Sequence, residues 1–268
     1  MTDETIIDVH DLSKKFGELT AVDHISFQVK AGEIFAFLGP NGAGKTTTIK
    51  MLTTLLHPTS GEIRMNGFDP VHEQSKARAS FGIVFQDPST DDELTAWENL
   101  ELHGILYHVP KQLRRQRMDA LLKIVGLDDR RNDYVKYFSG GMRRRLEIAR
   151  GLLHHPKILF LDEPTIGLDP QTRNHLWNYV KELNTKENIT VFLTTHYMEE
   201  ADRIAHRIAV IDHGKIVALG TSEELKQKTN TTNLEDAFLA LTGSSIREEE
   251  ASAVDTLRIH SRMWRRRS

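Results

Sequence analysis

The sequence predicts an α/β fold, a parallel core sheet that carries a phosphate-binding loop and is interrupted by a helical subdomain. Three observations predict it. Short apolar runs rich in Ile, Val and Phe alternate with longer segments of helical period. A glycine-rich turn at residues 39–47 joins one such run to a helix. From residue 95 to 153 the pattern is almost wholly helical, without a strand signal.

Taken in order, residues 6–9, 22–29 and 34–38 read as strands. Ile49, Leu52 and Leu56 step by three and four, which predicts a helix over 45–56. Residues 62–65 read as a strand that ends in the tight turn Asn66-Gly67. Further strands are predicted at 81–85, 158–162, 190–194, 207–212 and 215–219. WENLELHGILYH, LRRQRMDALLKIVGL and MRRRLEIARGLL supply three helices of the insertion, placed over about 88–157. LEDAFLALTG at 234–243 reads as a short amphipathic helix closed by glycine. RIHSRMWRRRS, residues 258–268, carries five arginines. It reads as a solvated segment, with anionic lipid headgroups as the sharper alternative.

Composition narrows the function classes. Of 268 residues, 39% are hydrophobic and 27% charged, the balance of a globular rather than a disordered chain. A net charge of −3 gives no global attraction for a polyanion, so no nucleic-acid partner is expected. The absence of cysteine excludes a disulfide framework and a thiolate zinc site. MTDETIID has neither a basic nor an apolar leader region, so no secretory signal is expected. The longest apolar runs, such as IFAFL at 34–38, fall far short of the ~18 residues of a membrane span. Any membrane role therefore requires a partner that supplies the spans.

The strongest chemical signal is GPNGAGKTT, Gly39 to Thr47. Phosphate oxygens need backbone N–H donors at close range. Gly39, Gly42 and Gly44 permit the conformations that bring them there, and the following helix offers its free N–H groups and positive dipole end. Lys45 can reach the β- and γ-phosphates, and the Thr46 hydroxyl can ligate Mg²⁺. In ILFLDEP an apolar strand ends in Asp162 and Glu163. Ligands of parallel sheets bind beyond the C-terminal strand ends, so Asp162 is expected near Mg²⁺, with Glu163 as a base toward water. His196 ends the strand ITVFLTT and can hydrogen-bond a γ-phosphate or that water. Gln86 ends FGIVF and offers an amide oxygen to Mg²⁺ or water.

GPNGAGKTT, Gln86, FSGGM, LFLDEP, GLD at 167–169 and His196 occur in that order. By these motifs the chain, from residue 1 to about 225, resembles an ABC-transporter ATP-binding protein. The resemblance implies a P-loop NTPase core sheet with an antiparallel β subdomain and the inserted helical subdomain. It places an ATP-binding domain over 1–230 and a C-terminal helix with basic tail over 231–268. It implies that Gly39, Pro40, Asn41, Gly42, Ala43, Gly44, Lys45, Thr46 and Thr47 form the Walker A loop. Gln86 becomes the Q-loop residue, Asp162 the Walker B carboxylate, Glu163 the catalytic glutamate and His196 the switch histidine. Ser139, Gly140 and Gly141 become the signature and Asp169 the D-loop aspartate, both facing ATP in a head-to-tail homodimer. Two residues depart from the family. Phe138 stands where the signature usually has leucine, a change in packing more than in phosphate contact. Phe16, with Phe27 close by in sequence, stands for the usual tyrosine that stacks on adenine.

LEDAFLALTG and KTTTIKMLTTLLHPTSG further resemble the ABC-2 type drug-resistance exporters, including daunorubicin-resistance-type proteins. That implies an ATPase with ATP and Mg²⁺ that drives export through a separate transmembrane permease, and a place on the inner membrane face. DPSTDDELTAWENL, 87–100, is then the expected coupling surface. The three arginines at 143–145 read as a solvated or subunit-facing surface. A non-transport ABC ATPase of the DNA-repair or translation type is the alternative. Its long coiled coils or duplicated cassettes have no counterpart in this sequence.

Overall fold

The strands divide between two sheets. The computed structural model describes residues 4–243, so the arginine-rich segment 258–268 lies outside the described residues. Strands β1 (Thr5–Phe16), β2 (Leu19–Lys30) and β4 (Ser60–Met65) form an antiparallel sheet in the order β2-β1-β4. Both strands of the β1–β2 hairpin run well past the expected 6–9 and 22–29. Bulges let the ladder continue through Asp11, Ser13 and Asp23, which alternation alone reads as breaks.

The second sheet holds β3 (Ile34–Leu38), β5 (Phe81–Val84), β6 (Ile158–Asp162), β7 (Thr190–Thr195), β8 (Arg207–Asp212) and β9 (Lys215–Gly220). Its order is β5-β6-β7-β3-β8-β9, parallel except for the antiparallel edge strand β9. Each central strand is apolar on both faces because both are covered. Ile34, Ala36 and Leu38 face one core with Leu159, Leu161, Val191 and Leu193. Phe35 and Phe37 face the other with Phe160 and Phe192, where Phe27 of β2 stacks on Phe35 at 5.6 Å between centroids.

Between β5 and β6 lie α3 (Ala96–Leu106), α4 (Lys111–Ile124) and α5 (Gly140–Leu152), the helical insertion. α3 opens with a Thr95–Glu98 capping box. Asn66 and Gly67, both at positive φ, turn the chain after β4 as the dipeptide predicts. Helix α1 (Lys45–Leu52) is shorter than expected. It ends because Thr54 turns left-handed at φ 64°, and the amides of Leu55 and Leu56 both return to the Lys50 carbonyl. Leu56 still packs on the core, which explains the periodicity. The helices α2 (Gln74–Ser80), α6 (Pro170–Glu187), α7 (Met198–Ile204) and α8 (Ser222–Thr229) complete the fold with α9 (Leu234–Thr242). α9 stops at Gly243, φ 69°, as its sequence predicts.

The insertion changes the reading of the three arginines, which are not a solvated face. Arg144 is buried, 6% exposed, and paired with Glu147 at 2.9 Å. Its guanidinium donates to the carbonyls of Phe85 and Gln86. Arg145 donates to the Val125 carbonyl, and Arg143 holds Asp92 and the carbonyl of Phe138. Backbone carbonyls that no strand or helix satisfies draw these side chains inward. Phe138 itself is buried among the helices, the packing role its apolar character implies.

Candidate active site

The C-terminal ends of β3, β6 and β7 are neighbours in the sheet, and the candidate residues leave from those ends. After Leu38 the chain turns through Gly39, where a Cβ would meet the Ile211 carbonyl at 2.2 Å. Gly44 sits at φ 104° and caps α1 without a side-chain bond. A Cβ there would lie 2.5 Å from the Ala21 carbonyl. The first turn of α1 holds no acidic residue, so its N–H groups and positive dipole end stay available to an anion. Pro40, Ala43 and Gly44 are buried, whereas Asn41 and Gly42 are exposed and Thr46 and Thr47 half-buried.

Three charged or polar side chains, Lys45, Glu163 and His196, meet beneath this loop. The Lys45 ammonium donates to the carbonyls of Gly39 at 2.8 Å and Pro40 at 3.1 Å. It also pairs with Glu163 Oε1 at 2.9 Å, an ion pair with both side chains nearly buried. The other carboxylate oxygen of Glu163 lies 3.1 Å from His196 Nδ1. Burial alone would raise the Glu163 carboxyl. The His196 hydrogen bond and the Lys45 charge together overcome it and hold the group at about 2. Glu163 is therefore a fixed anion with its backbone left-handed at φ 46°.

Asp162 accepts from the hydroxyls of Thr46 at 3.2 Å and Thr194 at 2.6 Å. Its carboxyl is raised, because burial outweighs those two hydrogen bonds. Hydroxyl and carboxylate oxygens at a phosphate loop are the hard donors that suit Mg²⁺. That ion takes one or two carboxylates and completes its shell with phosphate and water. No group of three or more His, Cys, Asp and Glu forms a dedicated cage among the described residues. The donor set fits Mg²⁺ brought with a nucleotide.

The remaining expected residues stand apart from this cluster. Gln86 is exposed and not drawn to Asp162 or Thr46. Its carbonyl is turned to Arg144 of α5 at 2.7 Å, which fixes the chain as it leaves β5. Ser139 is exposed and caps α5, accepting from the Met142 amide at 3.3 Å. Gly140 is exposed, while Gly141 is buried against Thr172. Asp169 is exposed and caps α6 by accepting from the Thr172 amide at 3.0 Å. Phe16 is 48% exposed at the hairpin tip, with Lys14 over its ring, whereas Phe27 is a core aromatic.

Thr194 and a second buried network carry little local sequence signal. Glu200 accepts from Thr165 at 2.7 Å and Thr195 at 2.9 Å. The available signal was the pair of hydroxyls, Thr194-Thr195, closing an otherwise apolar strand.

The chain matches the ABC transporter family over residues 22–166, more than half of its length. It belongs to that family. As an ABC protein it is 44% identical over 226 residues to a daunorubicin resistance ATP-binding protein of Streptomyces coeruleorubidus, covering 84% of this chain and 71% of the relative. It is 40% identical over 252 residues to a linearmycin resistance ATP-binding protein of Bacillus subtilis, covering 94% and 79%. Its fold resembles the ATP-binding subunit of an ABC transporter at 29% identity and TM-score 0.80, covering 88% of this chain and 99% of that one. It also resembles a dimeric ATP-binding cassette in a post-hydrolysis state, bound to ADP and Pi. There the identity is 30% and the TM-score 0.72, over 80% of this chain and 98% of that one. The chain is an ABC ATPase, a subunit type that binds ATP and works with transmembrane subunits. No helix among the described residues is long and apolar enough to cross a membrane.

Proposed function

We propose that this ABC ATPase powers export of a drug-like or other small molecule through a separate permease, from the cytoplasmic face of the membrane. One observation carries the hydrolytic part. Lys45, Glu163 and His196 form one bonded set at the phosphate loop and Thr46 and Asp162 another, and Thr194 bonds to both, across 151 positions of sequence from Lys45 to His196. The resistance proteins named among its relatives support the export part.

In this reading the backbone of Gly39–Thr47 cradles the phosphates and Lys45 exchanges Glu163 for the β- and γ-phosphates. Thr46 and Asp162 would hold Mg²⁺, with Gln86 approaching once nucleotide is bound. The ion supplies charge neutralisation on the transferring phosphoryl group. Glu163, freed from Lys45, orients and deprotonates the attacking water, and His196 holds that carboxylate or the γ-phosphate in place. Phe16, exposed at its hairpin, stacks on adenine.

Ser139, Gly140 and Asp169 do not reach the cluster of their own chain. Their exposed positions at helix N-termini suit the ATP of a second copy, packed head to tail. The permease would meet the acidic stretch 87–100 and the exposed apolar strip of Leu102, Ile105 and Leu106 on α3.

Phosphate release by the full chain tests this reading. Turnover should rise faster than linearly with enzyme concentration, because two copies build each site. Ser139→Ala should lose most turnover yet bind a fluorescent ATP analogue as the parent does. Equal loss of binding and turnover would refute the two-copy site.

A further inference from the structure

β7 is apolar from Val191 to Leu193, and Thr194 continues it at zero exposure. A valine would fill that place without a polar atom to satisfy. A buried hydroxyl is costly unless it is hydrogen-bonded, so its bonds identify its task. The parallel register sets Thr194 beside Asp162 on one side and Phe37 on the other. Its Oγ1 donates to Asp162 Oδ1 at 2.6 Å. The same oxygen accepts the Glu163 amide at 3.0 Å. A carboxylate only accepts and an amide only donates, so the direction of both bonds is determined.

The two bonds act on different things. The first fixes the rotation of the Asp162 carboxylate, with help from Thr46 on the same oxygen at 3.2 Å. The second holds the backbone at Glu163, where the strand ends and φ reaches 46°. That left-handed turn is unfavourable for a residue with a side chain, and it directs Glu163 to Lys45 and His196. The Glu163 amide also meets the Thr194 carbonyl at 3.2 Å, so one residue receives it twice.

We propose that Thr194 is a positioning residue of the hydrolytic site, whose single hydroxyl sets the Asp162 carboxylate for Mg²⁺-nucleotide and the Glu163 backbone for attack by water. The proposal rests on the roles given above to Asp162 and Glu163. Thr194 is fully buried and acts through those two acids. Outer partners of metal-holding carboxylates typically alter affinity or activity about 10–100-fold when removed.

The test compares Thr194→Val and Thr194→Ser in the full chain. Valine keeps shape and burial and loses the hydroxyl; serine keeps the hydroxyl and loses a methyl. Binding of a fluorescent ATP analogue is measured in Mg²⁺ and in EDTA, alongside phosphate release and a thermal melt. In the valine variant, kcat should fall about 10–100-fold. Its gain in nucleotide affinity on adding Mg²⁺ should shrink and KM should rise with that loss, while affinity in EDTA stays near the parent. Serine should restore both the Mg²⁺ dependence and turnover to within about threefold, a margin well inside the 10–100-fold effect. A valine variant with parental kcat and Mg²⁺ dependence overturns the proposal. So does a serine variant as impaired as valine, because packing and not the hydroxyl would then matter; this comparison stands even if valine folds poorly. Asp162→Asn and Glu163→Gln run in parallel. Parental turnover in both would remove the dyad beneath the proposal, and is distinguishable from a failure of Thr194 alone.

Discussion

Glu163→Gln separates two consequences of one geometry. The glutamine keeps the shape of the side chain and removes its charge. In the parent, that charge is 5% exposed, 2.9 Å from the Lys45 ammonium and 3.1 Å from His196. Removing a general base slows turnover about 10²–10⁴-fold, or about 3–5 kcal/mol of barrier. The same charge stabilises the fold. A carboxyl held at about 2 instead of 4.5 contributes about 3 kcal/mol at pH 7. Because the folded value is the depressed one, that contribution is complete above 4.5 and is lost as pH falls toward 2. At pH 3 about 1 kcal/mol of it remains. The stability gap between parent and Glu163→Gln should therefore narrow by about 2 kcal/mol from pH 7 to pH 3. Urea denaturation at the two pH values reads that gap, and phosphate release at pH 7 reads turnover. A gap independent of pH would show that Lys45 and His196 do not hold the carboxylate. Near-parental turnover would remove Glu163 from the base role.

Three further perturbations follow from the same contacts. Lys45→Ala should lose charge-assisted contacts to nucleotide of about 1.5–3 kcal/mol each, read by ATP-analogue binding. By stranding buried Glu163, it should also destabilise the fold by about 3–5 kcal/mol in urea. Gly39→Ala places a Cβ against the Ile211 carbonyl and should cost about 1–3 kcal/mol of stability with weakened nucleotide binding; parental values for both would contradict the close approach. Arg144→Met should destabilise by about 3–5 kcal/mol because Glu147 is left buried, and Arg144→Met with Glu147→Leu should cost clearly less than the sum of the singles. Additive denaturation energies would mean that the pair is not coupled.

Signals carried by local pattern were legible in the sequence. The phosphate loop, the acids ending β6 and the histidine after β7 each follow an apolar strand, and parallel neighbours bring those strand ends together. Asn66-Gly67 and Gly243 are set by their own backbone needs. What escaped depends on contacts between distant segments. Nothing near Thr194 in sequence announces Asp162, 32 positions away, because the β6–β7 register creates that bond. The three arginines after the signature have the composition of a solvated face. The burial of Arg144 and the inward turn of Arg145 follow from carbonyls at Phe85, Gln86 and Val125 that lack strand or helix partners. α6 has a readable start, Asp169 followed by Pro170, and there the acid expected at ATP is also a helix cap.

That last double use extends to α5. Ser139 caps its N-terminus and is exposed there. Along its side Arg144 holds the carbonyls of Phe85 and Gln86, and Glu147 receives the amide of Ser89 at 2.6 Å. Arg150 grips the Ser89 carbonyl and hydroxyl. The segment 85–89 is thus bonded to α5 at several points while β5 anchors its other end in the core sheet. A displacement of the helical insertion must carry this segment with it or break the hydrogen bonds that Arg144, Glu147 and Arg150 make to it, which leaves backbone polar groups without partners. In the proposed two-copy assembly, Ser139 meets the neighbour's ATP while Gln86 serves the chain's own. One helix then ties the two sites together. The stretch offered to the permease, 87–100, begins within that tie.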